Sequence, residues 1–292
     1  MKYNYVIFCM VLLFISCNRE TKVDKQKLLG NDYRLFQNTP AWLLAKAVED
    51  NNVEKIKEEV ISNKVNINYQ ESRFGNSLLM LAITNSQYKT TEELLKLGAD
   101  PNLKDFYRGS NSVIDATDNE DPKYLILVLK YEGNANSLET APGKEGNQAR
   151  STALNNAISY VDEYSLEKVK LLIDAGADIN YFNNGPEVYT NLPLADALIH
   201  NNMEALLFLL EKGAEYNKVM YTMGDGHKVF ILEGLRKSLI ELDSKQYKYK
   251  LRVVAFLKKH GLNYEKEPIP DYVLKEIINL HPKDWEEYLK KY

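Results

Sequence analysis

The chain has 292 residues, 45% of them hydrophobic and 27% charged, which is enough apolar material for one long domain or two ordinary ones and excludes a disordered chain. Its 37 lysines and arginines stand against 41 aspartates and glutamates, a net charge of −4. That balance lacks the basic surface needed to displace phosphate counterions, so nucleic-acid binding is not expected.

In chain order, the first element is an apolar run from Val6 to Ile15, preceded by Lys2 and ended by Ser16 and Cys17. Ten residues are too few for a membrane-spanning helix, which needs roughly 20. The layout is that of a secretory signal: a positive start, an apolar centre and a small residue at the cleavage point. Of the two cysteines, Cys9 lies inside the segment to be removed, so Cys17 has no internal disulfide partner. Phe14-Ile15-Ser16-Cys17 resembles the lipobox of a bacterial lipoprotein, matching at Ser16 and Cys17 and departing at Phe14, where that family usually carries leucine. The resemblance implies lipidation of Cys17 and a chain held at a bacterial membrane in the cell envelope, facing the periplasm. A plain signal peptide with an incidental cysteine, or an uncleaved anchor, is the alternative. Residues 1–16 are then the signal and 17–39 a tether and N-terminal cap. If the 22 residues from Asn18 to Thr39 were flexible throughout, they would hold the remainder of the chain about 25 Å from the membrane.

Beyond the tether comes a repeat. LLIDAGADIN (Leu171 to Asn180) has close variants in LLKLGADPN (Leu94 to Asn102) and LLEKGAEYN (Leu209 to Asn217), with weaker copies at Val128 to Asn136, Asn63 to Asn68 and Phe256 to Glu265. Each copy reads as a leucine-faced helix, a glycine that ends it in the left-handed conformation, and an asparagine or aspartate that shapes a turn. Upstream of each of the first five stands a second helix with an alanine suited to close helix contact: Ala47, Ala82, Ala116, Ala157 and Ala197. The distance from that alanine to the closing asparagine is 20 to 23 residues in all five.

With TALNNAI and LPLADAL standing where the family has T-P-L-H-x-A-A, and Asn201 to Ala214 following its G-H-x-x-V-V-x-L-L-L-x-x-G-A, the chain resembles an ankyrin-repeat protein over about residues 41 to 265. The resemblance implies an all-α solenoid of five to six helix-turn-helix units with hairpin loops, over residues 40–265. It also implies a protein partner, bound through the hairpins and the concave inner helices. The family histidine of the inner helix is replaced by Ala45, Met80, Ile114, Asn155 and Ala195. Its hydrogen bonds between adjacent hairpins are therefore expected to be missing, leaving apolar packing to join the repeats. Steps between closing asparagines are 34, 34, 44 and 37 residues. The extra residues fall in Ser137 to Arg150, Asn183 to Asn191 and Lys218 to Lys228, with a further insertion near Ser244 to Lys250. Insertions gathered on one face of a solenoid often mark its binding face.

Residues 266–292 read as a C-terminal helical cap. Asp271 and Asp284 are placed to cap two helices, and Trp285, Tyr288, Leu289 and Tyr292 form an apolar stripe that would cover the end of the last repeat.

No constellation for chemistry is visible. His200, His227, His260 and His281 are too scattered for a metal motif, and neither a nucleophile elbow nor a phosphate-binding loop occurs. Gly143-Lys144 and Gly224-Asp225-Gly226 read as loop residues, and Asp118, Glu120 and Asp121 as a solvated turn before a helix starting at Pro122. No catalysis, cofactor, metal or small-molecule substrate is expected. What remains is a surface. Of the 20 tyrosines and 9 phenylalanines, several cluster at or after the closing turns: Tyr69, Phe74, Phe106, Tyr107, Tyr181, Phe182, Tyr189, Tyr216 and Tyr221. Tyr69, Phe74, Phe106, Tyr107, Tyr181, Phe182, Tyr189 and Tyr221 are the candidate protein-binding residues, with bracing of neighbouring hairpins as the competing role. The expected function is a membrane-tethered protein-binding module, of the kind that sequesters or neutralises a partner such as a toxin. A structural envelope scaffold, or an enzyme with its site in the inserted loops, is the alternative.

Overall fold

A computed structural model describes residues 23–141, 148–185 and 188–292. Six helix pairs follow one another: α1 (Trp42–Glu49) with α2 (Val53–Lys57), α3 (Leu78–Thr84) with α4 (Tyr88–Lys96), and α5 (Ser112–Asp118) with α6 (Lys123–Lys130). Then come α7 (Ala153–Ser159) with α8 (Ser165–Asp174), α9 (Pro193–Ile199) with α10 (Met203–Glu211), and α11 (Ile231–Lys237) with α12 (Lys245–Lys259). Odd-numbered inner helices stack on one another, as do the even-numbered outer ones. This is the all-α solenoid expected from the repeat, with the third and sixth units fully formed.

The inner helices are only seven or eight residues long, too short to persist alone in water. Side-chain caps set their starts: Ser77 accepts from Met80 N–H at 3.3 Å and Thr152 from Asn155 N–H at 3.0 Å. Stacking then supplies the stability. Ala47, Ala82, Ala116, Ala157 and Ala197 are all between 0 and 3% exposed, where small side chains let neighbouring helices approach. In α11 the position is taken by Gly234, where a Cβ would stand 2.9 Å from Leu198 Cδ1.

Hydrogen bonds join the repeats as well. The closing asparagines Asn68, Asn102, Asn136 and Asn180 accept from the backbone N–H groups of Asp100, Asn134, Asp178 and Glu215 in the next unit, at 2.7 to 2.9 Å. Asn102 and Asn136 also donate forward, to the carbonyls of Glu132 and Gly176. Asn155, standing in the family's histidine position, donates to Asn191 O at 3.0 Å and to the Asp196 carboxylate. The expectation that adjacent hairpins lose this bond therefore fails in the fourth unit, because a shorter amide spans the same gap.

Two of the inserted segments form small antiparallel hairpins, β1 (Asn183–Asn184) with β2 (Tyr189–Thr190), and β3 (Tyr221–Thr222) with β4 (Lys228–Val229). The expected insertion near Ser244 to Lys250 is not a loop. Ser244 caps α12 by accepting from Tyr247 N–H at 3.1 Å, and residues from Lys245 onward are the first turns of a 15-residue helix.

Both ends are covered. Leu35 and Phe36 are fully buried against α1, and the segment before them reaches the second unit. Arg73 Nη1 donates to the carbonyl of Lys25 at 2.6 Å, and Asn76 donates to Gly30 O at 2.8 Å. At the other end, α13 (Asp271–Leu280) and α14 (Trp285–Lys291) build a small separate core of Val273, Ile277, Tyr288 and Tyr292, against which Leu239, Leu242, Trp285 and Leu289 pack. The stripe thus lies on the last repeat as expected. The capping roles differ from expectation: Pro270 is the cap of α13, with Asp271 its first residue, and the Asp284 side chain accepts no helix N–H. Among the described residues no helix is long and apolar enough to cross a membrane.

Candidate functional site

Between repeats the chain projects fingers, and carboxylates shape them from within. Glu71, 1% exposed, accepts from the backbone N–H groups of Arg73 and Phe74, both at 2.7 Å, and of Asn76 at 3.1 Å. In the next finger Asp105 Oδ1 accepts from Tyr107 and Arg108 at 2.7 Å and from Gly109 at 3.0 Å. An ionised carboxylate satisfies several backbone donors at once, which holds a turn that has no room for a helix. Neighbouring fingers are then tied edge to edge: Phe106 N–H donates to Phe74 O at 2.7 Å, and Thr140 and Ala141 donate to Arg108 O at 3.1 and 2.9 Å. The fingers therefore form a continuous ribbon facing the inner helices.

A groove of about 800 Å³ lies between that ribbon and the inner helices α5 and α7 of the third and fourth repeats. Phe74, Tyr107 and Arg108 stand on the finger side, and Asp115, Asp118 and Tyr160 on the helix side. The groove is anionic. Arg108 is held by Glu139 in a two-pronged pair at 2.7 and 2.8 Å, so it does not offset the other acids. Loss of water on the groove floor, reinforced by the charges of Asp118 and Asp105, pushes the Asp115 carboxyl well above the usual range; the Ser110 hydroxyl donates to it at a long 3.4 Å. Burial also raises Asp118, against the opposing hydrogen bond from Asn156 Nδ2 at 2.6 Å. The charge of Asp118, followed by burial, in turn raises the Tyr160 hydroxyl. Such mutual repulsion is relieved by any cation that enters. Among the described residues, no three or more His, Cys, Asp or Glu side chains are grouped to hold a metal ion.

The candidate aromatics separate into four settings. Phe74 and Tyr107 line the groove and meet edge to face, with ring centroids 6.2 Å apart. Phe106, 54% exposed, lies over Gly75 at the finger tip. Phe182, Tyr189 and Tyr221 line a second cleft, between the two β-hairpins. Tyr69 packs on the core and on Phe36 with centroids 6.2 Å apart, Tyr216 meets His260 at 6.0 Å, and Tyr181 is half-buried. Sequence reading did not single out Tyr160, Phe230 or the groove role of Asp115. Asp115 and Asp118 share the short helix α5, and that spacing with Tyr160 in the next inner-helix turn was the available signal. Cys17 lies outside the described residues.

Residues 74–106 match the family model for the ankyrin repeat, covering the second helix pair and the finger on each side of it. Two curated proteins are similar in sequence. One is the nuclear factor NF-kappa-B p105 subunit of Gallus gallus, 36% identical over 103 residues, which is 35% of this chain and 10% of that protein. The other is the putative ankyrin repeat protein FPV031 of Fowlpox virus (strain NVSL), 27% identical over 179 residues, 61% of this chain and 48% of that protein. The chain thus spans a tenth and about half of the lengths of these relatives. Among solved structures, the crystal structure of EF0377, an ankyrin repeat protein, is similar with a TM-score of 0.49 and 18% identity, covering 74% of this chain and 96% of that one. The helix pairs and fingers together with the matched unit make this an ankyrin-repeat solenoid, an architecture that serves as a protein-interaction module.

Proposed function

We propose that the chain is a membrane-tethered ankyrin-repeat module that captures a protein partner carrying a basic segment, and that capture at the cell envelope sequesters or neutralises that partner, a toxin being one such target. The observation that supports this most is the groove: crowded acids at Asp115 and Asp118, beside the exposed rings of Tyr107 and Tyr160, suit lysine or arginine side chains entering with their apolar stems. The tether rests on the lipobox-like Phe14-Ile15-Ser16-Cys17, and Cys17→Ser is expected to release the protein from the membrane fraction.

The test is crosslinking in cell envelopes followed by recovery of the full chain. One stoichiometric partner is expected, and replacing Tyr107 and Tyr160 together with alanine should weaken its binding at least about tenfold with helicity retained. Unchanged affinity, or no recovered partner, overturns the reading. Several weak partners in constant abundance favour a structural scaffold instead.

A further inference from the structure

The second cleft, of about 830 Å³, is built by the two segments that depart most from a plain repeat, β1–β2 and β3–β4. Its floor is Leu192, Met220 and Thr190, all buried, and its walls carry Phe182, Tyr189 and Phe230, which are 54, 42 and 48% exposed. Three large rings facing one concavity leave apolar surface in water, which is the mark of an interaction site rather than of packing.

Two further observations give the occupant's chemistry. Thr190 is 1% exposed and its Oγ1 has no hydrogen-bond partner among the described residues, so the cleft floor holds an unsatisfied polar group. Among the described residues, the lining contains two lysines and no carboxylate. Lys218 is paired with Glu215 at 2.5 Å, whereas the exposed Lys228 has no ion-pair partner among the described residues. The sign is opposite to that of the groove, so one segment does not suit both sites. The side-chain amides of Asn184 and Asn217, also in the lining, add donors and acceptors for a peptide backbone.

We infer that this cleft is a second, independent binding site whose occupant is an extended peptide segment carrying carboxylates beside a bulky apolar side chain. The apolar side chain sits among Phe182, Tyr189 and Phe230, a carboxylate meets Lys228, and a peptide carbonyl accepts from the Thr190 hydroxyl. A flat anionic membrane would pair with Lys228 but leave a concave floor unfilled, and a neutral glycan would leave Lys228 unmatched. The inference does not rest on the groove.

The full chain, immobilised, is used to select from a random peptide library. The expected consensus combines Asp or Glu with Phe, Leu or Trp. A synthetic consensus peptide is expected to lose at least tenfold in affinity, about 1.4 kcal/mol, for Lys228→Glu and for the Phe182→Ala, Phe230→Ala pair. It should bind Asp118→Asn unchanged, which separates this site from the groove. Thr190→Val keeps the floor's shape; it is expected to raise the melting temperature of the free chain while weakening the peptide. A basic consensus, no consensus, affinity indifferent to Lys228→Glu, or binding to phosphatidylglycerol vesicles in place of peptide each overturns the proposal.

Discussion

Lys250 is 1% exposed, and its Nζ donates to Ser238 O at 3.0 Å while lying 4.0 Å from the ring centre of Tyr292. Burial, helped by the nearby Arg236 guanidinium, brings its pKa down to about 7 from 10.5. The unfolded chain therefore binds a proton that the folded chain lacks between about pH 7 and pH 10.5. Stability is expected to rise with pH across that window, by up to about 1.4 kcal/mol per unit, with the full penalty present below it. Lys250→Met should flatten the dependence and raise stability at pH 7, as read by denaturant titrations at several pH values. A second single-residue effect lies in the third closing turn. The sequence places Gly133 there, but the left-handed residue is Glu132, with φ of 65°, in the position held elsewhere by Gly98, Gly176 and Gly213. A side chain in that conformation is strained, so Glu132→Gly is expected to stabilise the chain by roughly 1 kcal/mol, measured by urea unfolding. The offset is written in the spacing: Gly98, Gly176 and Gly213 each stand four residues before the closing asparagine, and Gly133 only three.

At the level of elements, the helices were legible and the fingers were not. Alanine and leucine spacing located five helix pairs, since close packing admits few side chains at those positions. The sixth escaped clear reading because Gly234 replaces the alanine and because α12 absorbs its apparent insertion into extra helical turns. Fingers depend on carboxylate-to-backbone bonds from Glu71 and Asp105, which have no periodicity to betray them. Gly75 shows how tightly that architecture is drawn. Its φ is +80°, and a Cβ there would stand 2.4 Å from Phe106 Cγ and 2.5 Å from Phe106 N. Gly75→Ala is therefore expected to cost roughly 2 kcal/mol and to loosen the groove wall carrying Phe74 and Tyr107. Calorimetry and partner affinity should fall together, whereas Gly224→Ala, with open space around it, should change neither.

Across the whole molecule the acids of the groove hold like charges together at a cost to the fold. Asp115 and Asp118 both have raised carboxyl pKa values, so the folded chain retains protons that the unfolded chain has lost, and their contribution to stability falls as pH rises from the ordinary carboxylate range through the raised values. Asp115→Asn is expected to raise the melting temperature at neutral pH and, if a cationic segment is the ligand, to weaken partner binding in the same variant. Binding by the parent should also decline with added salt. Which aromatics belong to the groove was only partly legible, because finger positions alike in sequence face different neighbours once the ribbon closes.

The N-terminal strap, tied by Arg73 to Lys25 and by Asn76 to Gly30, has a consequence for geometry at the membrane. If Cys17 carries lipid as proposed, six residue steps separate it from Val23, the first described residue, a reach of at most about 22 Å. The proposed anchor would then keep the strap, and the first finger tied to it, near the bilayer. Clearance becomes a filter in its own right: a bulky soluble partner could approach only the distal repeats, while a small or membrane-embedded one could slide along the whole ribbon.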